Sequence, residues 1–141
     1  MFRLQRGSTE VGTDTAGIAS RKISATLLEF GEPLLDLLEA PSVEEFRAAL
    51  NIVIVVWNAH GLAMAIGGGP SKHLEALALY RRRIAQPGAP AGILVGFDAL
   101  NGRRVLEYGD DPRCVGEWKL LPDGKGGYKF RCDARLPVGS G

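Results

Sequence analysis

The 141-residue sequence lacks most of the patterns from which an activity can be inferred. Its two cysteines are too few for a disulfide framework, and this usage fits a reducing cytoplasm, which is the location we expect. It has no close Cys-x-x-Cys or histidine pair for zinc and no G-x-S-x-G for a serine nucleophile. We therefore predict no catalytic residue, no metal site and no cofactor.

The sequence also lacks an excess of charge. Seventeen basic and sixteen acidic residues leave a net charge of +1, so only a local patch, not the whole chain, can favour nucleic acid. The longest apolar stretch, residues 48–66, is interrupted by Asn58, His60 and Gly61, and a membrane span needs about 20 apolar residues. The N-terminus has no apolar core of a secretory signal. No membrane partner is predicted.

The apolar stretch 48–66 is the feature around which the rest of the chain is organised. Its β-branched run, residues 52–56, would by itself favour a buried strand. The residues before it favour a helix, because Ser42 and Glu45 have the spacing of a capping box. Phe46, Leu50, Val53 and Trp57 then recur at helical spacing. We predict one helix from Val43 to Ala63, surrounded by protein on most sides.

Two further helical segments flank this central helix. Residues 22–40 carry an apolar leucine face, with Ser24 as the expected N-cap and a break at residues 31–33, where Pro33 cannot donate a backbone hydrogen bond. Residues 72–86 follow a glycine-rich turn and form the next helix. Residues 1–21 are rich in Gly, Ser and Thr and are expected to be disordered or loosely attached.

Residues 91–107 allow two interpretations. Asn101-Gly102 is a typical hairpin turn. Against this, five residues share helical spacing: Ile93, Phe97, Leu100, Arg104 and Tyr108. We favour a helix, and the hairpin remains open.

The C-terminal segment predicts a two-stranded antiparallel hairpin, Cys114–Leu121 and Gly127–Leu136, joined by turn residues. The first strand is expected to place Cys114, Gly116, Trp118 and Leu120 on one face. Cys114 and Cys132 are expected as buried free thiols, although a suitable register would make them cross-strand neighbours. The predicted fold is α+β, mainly helical with about four helices and this hairpin, in one domain over residues 22–137 with a flexible end at 138–141.

Three short motifs carry a resemblance to a known group of proteins. They are Ser24-Ala25-Thr26-Leu27-Leu28-Glu29-Phe30 with Pro33-Leu34-Leu35, then Val56-Trp57-Asn58-Ala59, then Asp110-Asp111-Pro112-Arg113. With these motifs the chain after residue 22 resembles a group of small uncharacterised bacterial proteins. The resemblance implies a helix before the aspartate pair, and it implies no activity, substrate or cofactor.

The candidate interaction residues fall into three groups. The central helix offers two amides on one stripe, a tryptophan and a histidine. The next helix offers an arginine triplet, which could form a basic patch together with Lys72, Arg103 and Arg104. An aspartate pair with an arginine precedes the hairpin, where turn formation is the simplest role. The residues are Asn51, Trp57, Asn58, His60, Arg81, Arg82, Arg83, Asp110, Asp111 and Arg113.

Two functions follow from these candidates. The first is a non-enzymatic protein-interaction module that self-associates or binds a protein partner, suggested by the absence of catalytic motifs and by the unpaired strand edges. The alternative is a nucleic-acid-binding protein or a small metal-dependent hydrolase that uses Arg81–Arg83 with Asp110 and Asp111.

Overall fold

The fold consists of helices that enclose one long central helix, followed by a hairpin. The computed structural model describes residues 22–39, 41–66, 72–87 and 92–135. Within these ranges the elements are α1 Ile23–Phe30, α2 Glu32–Leu35, α3 Val43–Ile66, α4 Lys72–Ile84, α5 Ile93–Tyr108, β1 Cys114–Pro122 and β2 Tyr128–Arg135. The predicted mainly helical α+β class with a C-terminal antiparallel hairpin is confirmed. The predicted tail 1–21 and flexible end 138–141 lie outside the described residues.

The central helix α3 begins with the predicted capping box. The amide of Ser42 donates to Glu45 Oε1 at 2.8 Å, and the amide of Glu45 donates to Ser42 Oγ at 3.1 Å. This reciprocal pair satisfies two of the amides that a helix N-terminus leaves without partners. The β-branched run continues the helix into the core, where Val53 and Val56 have no exposed surface. The helix therefore contains the whole predicted range and extends to Ile66.

The same helix meets a length and composition criterion for crossing a membrane. The segment that meets it is Val43–Ala63, but most of it is buried against the other elements of the fold. Burial of this kind is also found in the core helices of soluble proteins, and it gives no clear evidence for a membrane. The expected absence of a membrane partner stays a prediction.

The first helical segment is divided at Gly31. Helix α1 ends at Phe30, and α2 begins at Glu32 with Pro33 in its first turn, where the missing N–H is not needed. A Cβ at Gly31 would lie 2.8 Å from Val53 Cγ2, so the corner contacts α3 closely because it has no side chain. The prediction that Ser24 caps this helix was wrong, because α1 already begins at the buried Ile23 and no side chain caps it.

Residues 93–108 form helix α5, and the hairpin alternative is excluded. The buried side of α5 includes Phe97, Leu100 and Arg104, three of the residues with the predicted helical spacing. A burial pattern with this period can arise only in a helix.

The hairpin packs with one face against α1 and α3. Leu120 lies opposite Phe130 on the inner face, and Lys119 lies opposite Arg131 on the outer face. The register is irregular between Val115 and Trp118, as at a β-bulge.

The bulge corrects two details of the predicted hairpin. Cys114 and Val115 are both buried while Gly116 is exposed, so the expectation that Gly116 shares a face with Cys114 was wrong. Cys114 lies opposite Arg135, whereas Cys132 lies opposite Trp118. The two cysteines are therefore not cross-strand partners. Both are free thiols, as predicted, but only Cys114 is buried, whereas Cys132 is partly buried.

Candidate functional site

The densest group of polar interactions lies where α3, the end of α5 and the start of β1 meet. We call this group the Trp57 junction, and its members are Trp57, Arg104, Tyr108, Asp111 and Arg113. The indole Nε1–H of Trp57 donates to the carbonyl oxygen of Arg113 at 2.7 Å. Trp57 itself has no exposed surface, and this hydrogen bond satisfies the only polar group of its side chain.

Arg104 is the charged centre of the Trp57 junction. Its exposed fraction is 0%, and its guanidinium donates to three carbonyl oxygens, those of Trp57 (3.2 Å), Asp111 (3.0 Å) and Tyr108. Burial lowers the pKa of Arg104 to about 10, although the carboxylate of Asp111 acts in the opposite direction. The group therefore keeps its charge at neutral pH and ties α5 to α3 and to the following turn.

Asp111 and Arg113 form the turn that leads from α5 into β1. Arg113 Nη2 lies 2.6 Å from Asp111 Oδ2, and Asp111 Oδ1 accepts from both the Nε and the amide of Arg113. Burial alone would raise the pKa of Asp111, but the hydrogen bonds and charge of Arg113 outweigh it and hold this pKa below its ordinary value. Asp110 beside it is exposed. The aspartate pair therefore belongs to a turn in which Arg113 neutralises Asp111, and turn formation is the role that the sequence predicted as the simplest.

Tyr108 joins the Trp57 junction to α1. Its ring makes edge contacts with Phe30 and Trp57, with centroids 5.5 and 5.6 Å away, and its hydroxyl donates to Glu29 Oε1 at 2.6 Å. Burial and this hydrogen bond raise the pKa of Tyr108 to about 12. A phenol with so high a pKa remains protonated at neutral pH and is not suited to act as a base.

The two amides of the central stripe have different partners. Asn58 binds the backbone of Val115 twice: its Nδ2 donates to the carbonyl at 3.0 Å, and its Oδ1 accepts from the amide at 2.7 Å. Asn58 thus holds the first residues of β1 in the way a neighbouring strand would. Asn51 is exposed and donates to the Tyr80 hydroxyl at 3.3 Å, which links α3 to α4.

His60 contacts a side chain of α5, and in the described part of the chain it has no carboxylate as a hydrogen-bond partner. Its Nε2 lies 2.8 Å from Asn101 Oδ1. A hydrogen bond between an imidazole and an amide oxygen is a boundary contact between two helices, and nothing in this pair activates either group as a nucleophile or a base.

The arginine triplet is divided between pairing and solvent. Arg81 forms a bidentate salt bridge with Asp98 on α5, in which Nε donates to Oδ1 at 2.8 Å and Nη2 donates to Oδ2 at 2.7 Å. Arg82 and Arg83 are exposed. Lys72 is exposed as well and remains available to a patch on α4.

The proposed extension of this patch to Arg103 and Arg104 was wrong. Arg103 donates to the carbonyls of Glu29 and Phe30 at the end of α1 and pairs with Glu107. Arg104 is buried, as described above. Both arginines therefore stabilise helix contacts: Arg104 is buried, and the partly exposed Arg103 is paired with Glu107 and with the C-terminus of α1.

The arginine triplet and the aspartate pair do not converge. Asp98, the partner of Arg81, lies ten residues before Tyr108, which corresponds to about 15 Å along the axis of α5, and Asp110 lies in the turn beyond the end of that helix. Asp111 is already bound to Arg113. In the described ranges, no group of three or more His, Cys, Asp or Glu side chains is placed to hold a metal ion. Nor does any buried side-chain nitrogen or oxygen there lack a hydrogen-bond partner.

The Trp57 junction thus stabilises the fold, because its polar groups form hydrogen bonds with one another and with the backbone. Among the described residues, the most exposed large apolar side chains lie elsewhere, on the outer side of α5, where Val95 is 74% and Leu106 is 85% exposed. Sequence reasoning missed this surface, although the signal was present, because these two residues lie opposite the buried stripe that contains Phe97, Leu100 and Arg104.

Searches against protein-family models, curated proteins and solved structures match nothing to this chain.

Proposed function

We propose that this protein is a non-enzymatic protein-interaction module that self-associates through the outer face of α5. The observation that carries the proposal is the exposure of Val95 and Leu106 on one side of that helix. They are eleven residues apart, which is close to three helical turns, so their side chains point in nearly the same direction. A single exposed leucine needs no explanation, but an apolar stripe along a helix is typical of a contact surface.

The residues between Val95 and Leu106 are small. Ala99 and Gly102 are both exposed and lie on the same stripe, so the face has large residues at its ends and small ones in its middle. Two copies of such a face can cross in an antiparallel pair, with close backbone approach at Ala99 and Gly102 and with Val95 of one copy beside Leu106 of the other. The pattern is therefore self-complementary.

Gly102 supports this argument independently. A glycine within a helix costs about 1 kcal/mol relative to alanine. A Cβ at Gly102 would meet no atom within 4 Å, so nothing in the described part of the chain requires its small size. A partner helix that crosses at this point would require it.

Light scattering coupled to size-exclusion chromatography, over a range of concentrations, tests the proposal. We expect the mass to rise towards that of a dimer for the natural sequence and to stay at that of one chain for Leu106→Asp. The matched control is Leu79→Asp, which makes the same change at an exposed leucine on α4 and should still associate.

Two outcomes would overturn self-association through α5. One is a natural chain that stays monomeric at all concentrations. The other is an equal loss of association in Leu106→Asp and Leu79→Asp, which would show that added charge, and not the α5 face, is responsible.

A further inference from the structure

We propose that the outer face of the hairpin binds the phosphate backbone of double-stranded nucleic acid. This surface is separate from α5 and from the arginine triplet. It consists of four cations in the half of the ribbon nearest the turn, Lys119, Lys125, Lys129 and Arg131, and we call it the basic ribbon face. All four residues are exposed.

The strand register brings these cations together. Lys119 lies directly opposite Arg131, and Lys129 lies opposite Leu121 on the same face. Directly opposed residues of an antiparallel pair have Cβ atoms about 5 Å apart, and like charges in that position destabilise the sheet. The arrangement thus carries a folding cost that an anionic ligand would relieve.

The acidic residues of the hairpin do not neutralise this half of the ribbon. Asp123 is in the turn, where its Oδ1 accepts from the amides of Lys125 and Gly127 at 2.7 and 2.9 Å. Glu117 and Asp133 lie two residues along the strands from Lys119 and Arg131, nearer the other end of the ribbon. In the described structure, no salt bridge to the four cations is found.

The shape and chemistry of the face favour a duplex over other polyanions. A two-stranded ribbon fits the major groove of B-form DNA, which is about 12 Å wide. Single strands are bound largely by stacking on exposed aromatic rings. Trp118 and Phe130 instead contact each other on the inner face, with ring centroids 6.0 Å apart. If these four cations contact phosphates and not base edges, binding should show little sequence preference.

The test uses the full chain and a fluorescently labelled 25-base-pair DNA duplex of arbitrary sequence, with anisotropy measured at several salt concentrations. If all four cations contact phosphates, the logarithm of the affinity should fall with the logarithm of salt at a slope of about −3 to −4. Lys129→Ala with Arg131→Ala should weaken binding about tenfold or more and reduce the steepness of that slope by about 2.

Two further variants separate the site from net charge and from folding. Arg82→Ala with Arg83→Ala removes the same charge from α4 and should leave the affinity within about twofold. Lys119→Glu places opposite charges across from each other, so it should raise the melting temperature while it weakens DNA binding. A loss of binding in a more stable protein cannot be due to unfolding.

Several results would overturn the proposal. These are no binding at low salt, an equal loss in the Arg82/Arg83 variant, or equally tight binding of a single strand of the same length. Tighter binding to vesicles that contain phosphatidylserine than to the duplex would assign the face to a membrane surface instead. Leu106→Asp does not change these cations, so the chain should still bind the duplex when it is monomeric.

Discussion

The guanidinium of Arg104 lies over the indole ring of Trp57, with its Cζ 3.7 Å from the ring centroid. Neither side chain has exposed surface, and the two belong to different helices, α5 and α3. Arginine suits this position because its planar group stacks on an aromatic face and is less strongly hydrated than an ammonium ion. A desolvated cation–π pair of this kind contributes about 2 kcal/mol or more.

Arg104→Ala is therefore expected to destabilise the fold by about 3–5 kcal/mol, because it leaves a cavity and three carbonyls without their donor. Arg104→Lys keeps the charge but cannot reach all three carbonyls, so it should still cost about 1–3 kcal/mol. Urea unfolding followed by tryptophan fluorescence measures both. The exposed Arg82→Ala is the control and should change stability very little. A loss below about 1 kcal/mol for Arg104→Ala would contradict the role assigned to Arg104.

Asn58 and Asn51 make a second matched comparison on α3. Asn58→Ala removes two hydrogen bonds and leaves the partly buried backbone of Val115 without partners, so we expect a loss of about 2–3 kcal/mol. Asn51→Ala removes one exposed hydrogen bond to Tyr80 and should cost less than about 0.5 kcal/mol. Equal effects in the two variants would show that the bonds from Asn58 to β1 do not stabilise the protein.

The sequence predicts those parts of the fold that depend on local signals. The Ser42–Glu45 capping box decided the character of α3 against its β-branched run, and the turn residues located the hairpin. The favoured helix for α5 is confirmed because its apolar period outweighs the Asn101-Gly102 turn signal. These elements are set by contacts between residues that are close in sequence.

The sequence does not predict which charged residues are buried. Arg104 was noted for its helical spacing with Phe97 and Leu100, and it was also assigned to a basic patch. Only the first assignment is correct, because the carbonyls that bind its charge come from α3 and from the end of α5 and the turn after it, and the contact with α3 is distant in sequence. The bulge at Gly116 likewise depends on how β1 meets α3, although a glycine within a strand is a known signal for it.

The pH dependence of stability should reveal the ion pair between Asp111 and Arg113. Arg113 holds the pKa of Asp111 below its ordinary value against the effect of burial, so the folded protein binds a proton here less readily than the unfolded chain does. This contribution to stability is present above about pH 4 and is lost as the pH falls through the lower, folded-state pKa.

Asp111→Asn should consequently lower the stability at pH 7 by about 1.5–3 kcal/mol, the usual cost of losing hydrogen bonds that involve a charged group, and it should flatten the dependence of stability on pH below about pH 4. Urea unfolding at a series of pH values from neutral to acid makes the comparison. Asp110→Asn alters the exposed neighbour and serves as the control. An unchanged acid limb in Asp111→Asn would contradict this assignment.

The two thiols should be unreactive while the protein is folded. Burial, with the charge of Asp133, raises the pKa of Cys132 to about 12, and burial also raises the pKa of Cys114. At pH 8 a thiol with a pKa of 12 is ionised in on the order of one molecule in ten thousand, so attack on a disulfide reagent is slow. We expect both cysteines to react with such a reagent only on unfolding in urea. Rapid reaction of either cysteine in the native protein would rule this out.

The last prediction compares two glycines of α5 that differ in their surroundings. A Cβ at Gly96 would lie 2.9 Å from Leu34 Cδ1 and 3.3 Å from Leu34 Cα, so Gly96→Ala should push α2 away and destabilise the protein by about 1–3 kcal/mol. A Cβ at Gly102 meets nothing within 4 Å. Gly102→Ala should therefore stabilise the single chain by up to about 1 kcal/mol, because alanine loses less backbone entropy in a helix.

Both variants are compared with the natural chain by urea unfolding at a concentration low enough to keep the chains monomeric. Opposite signs would establish that Gly96 is required by α2 while Gly102 is not required by the monomer. If Gly102→Ala were destabilising under these conditions, the small residue would be needed within the chain itself. The argument that a second α5 helix accounts for Gly102 would then fail, whereas the exposure of Val95 and Leu106 would still require an explanation.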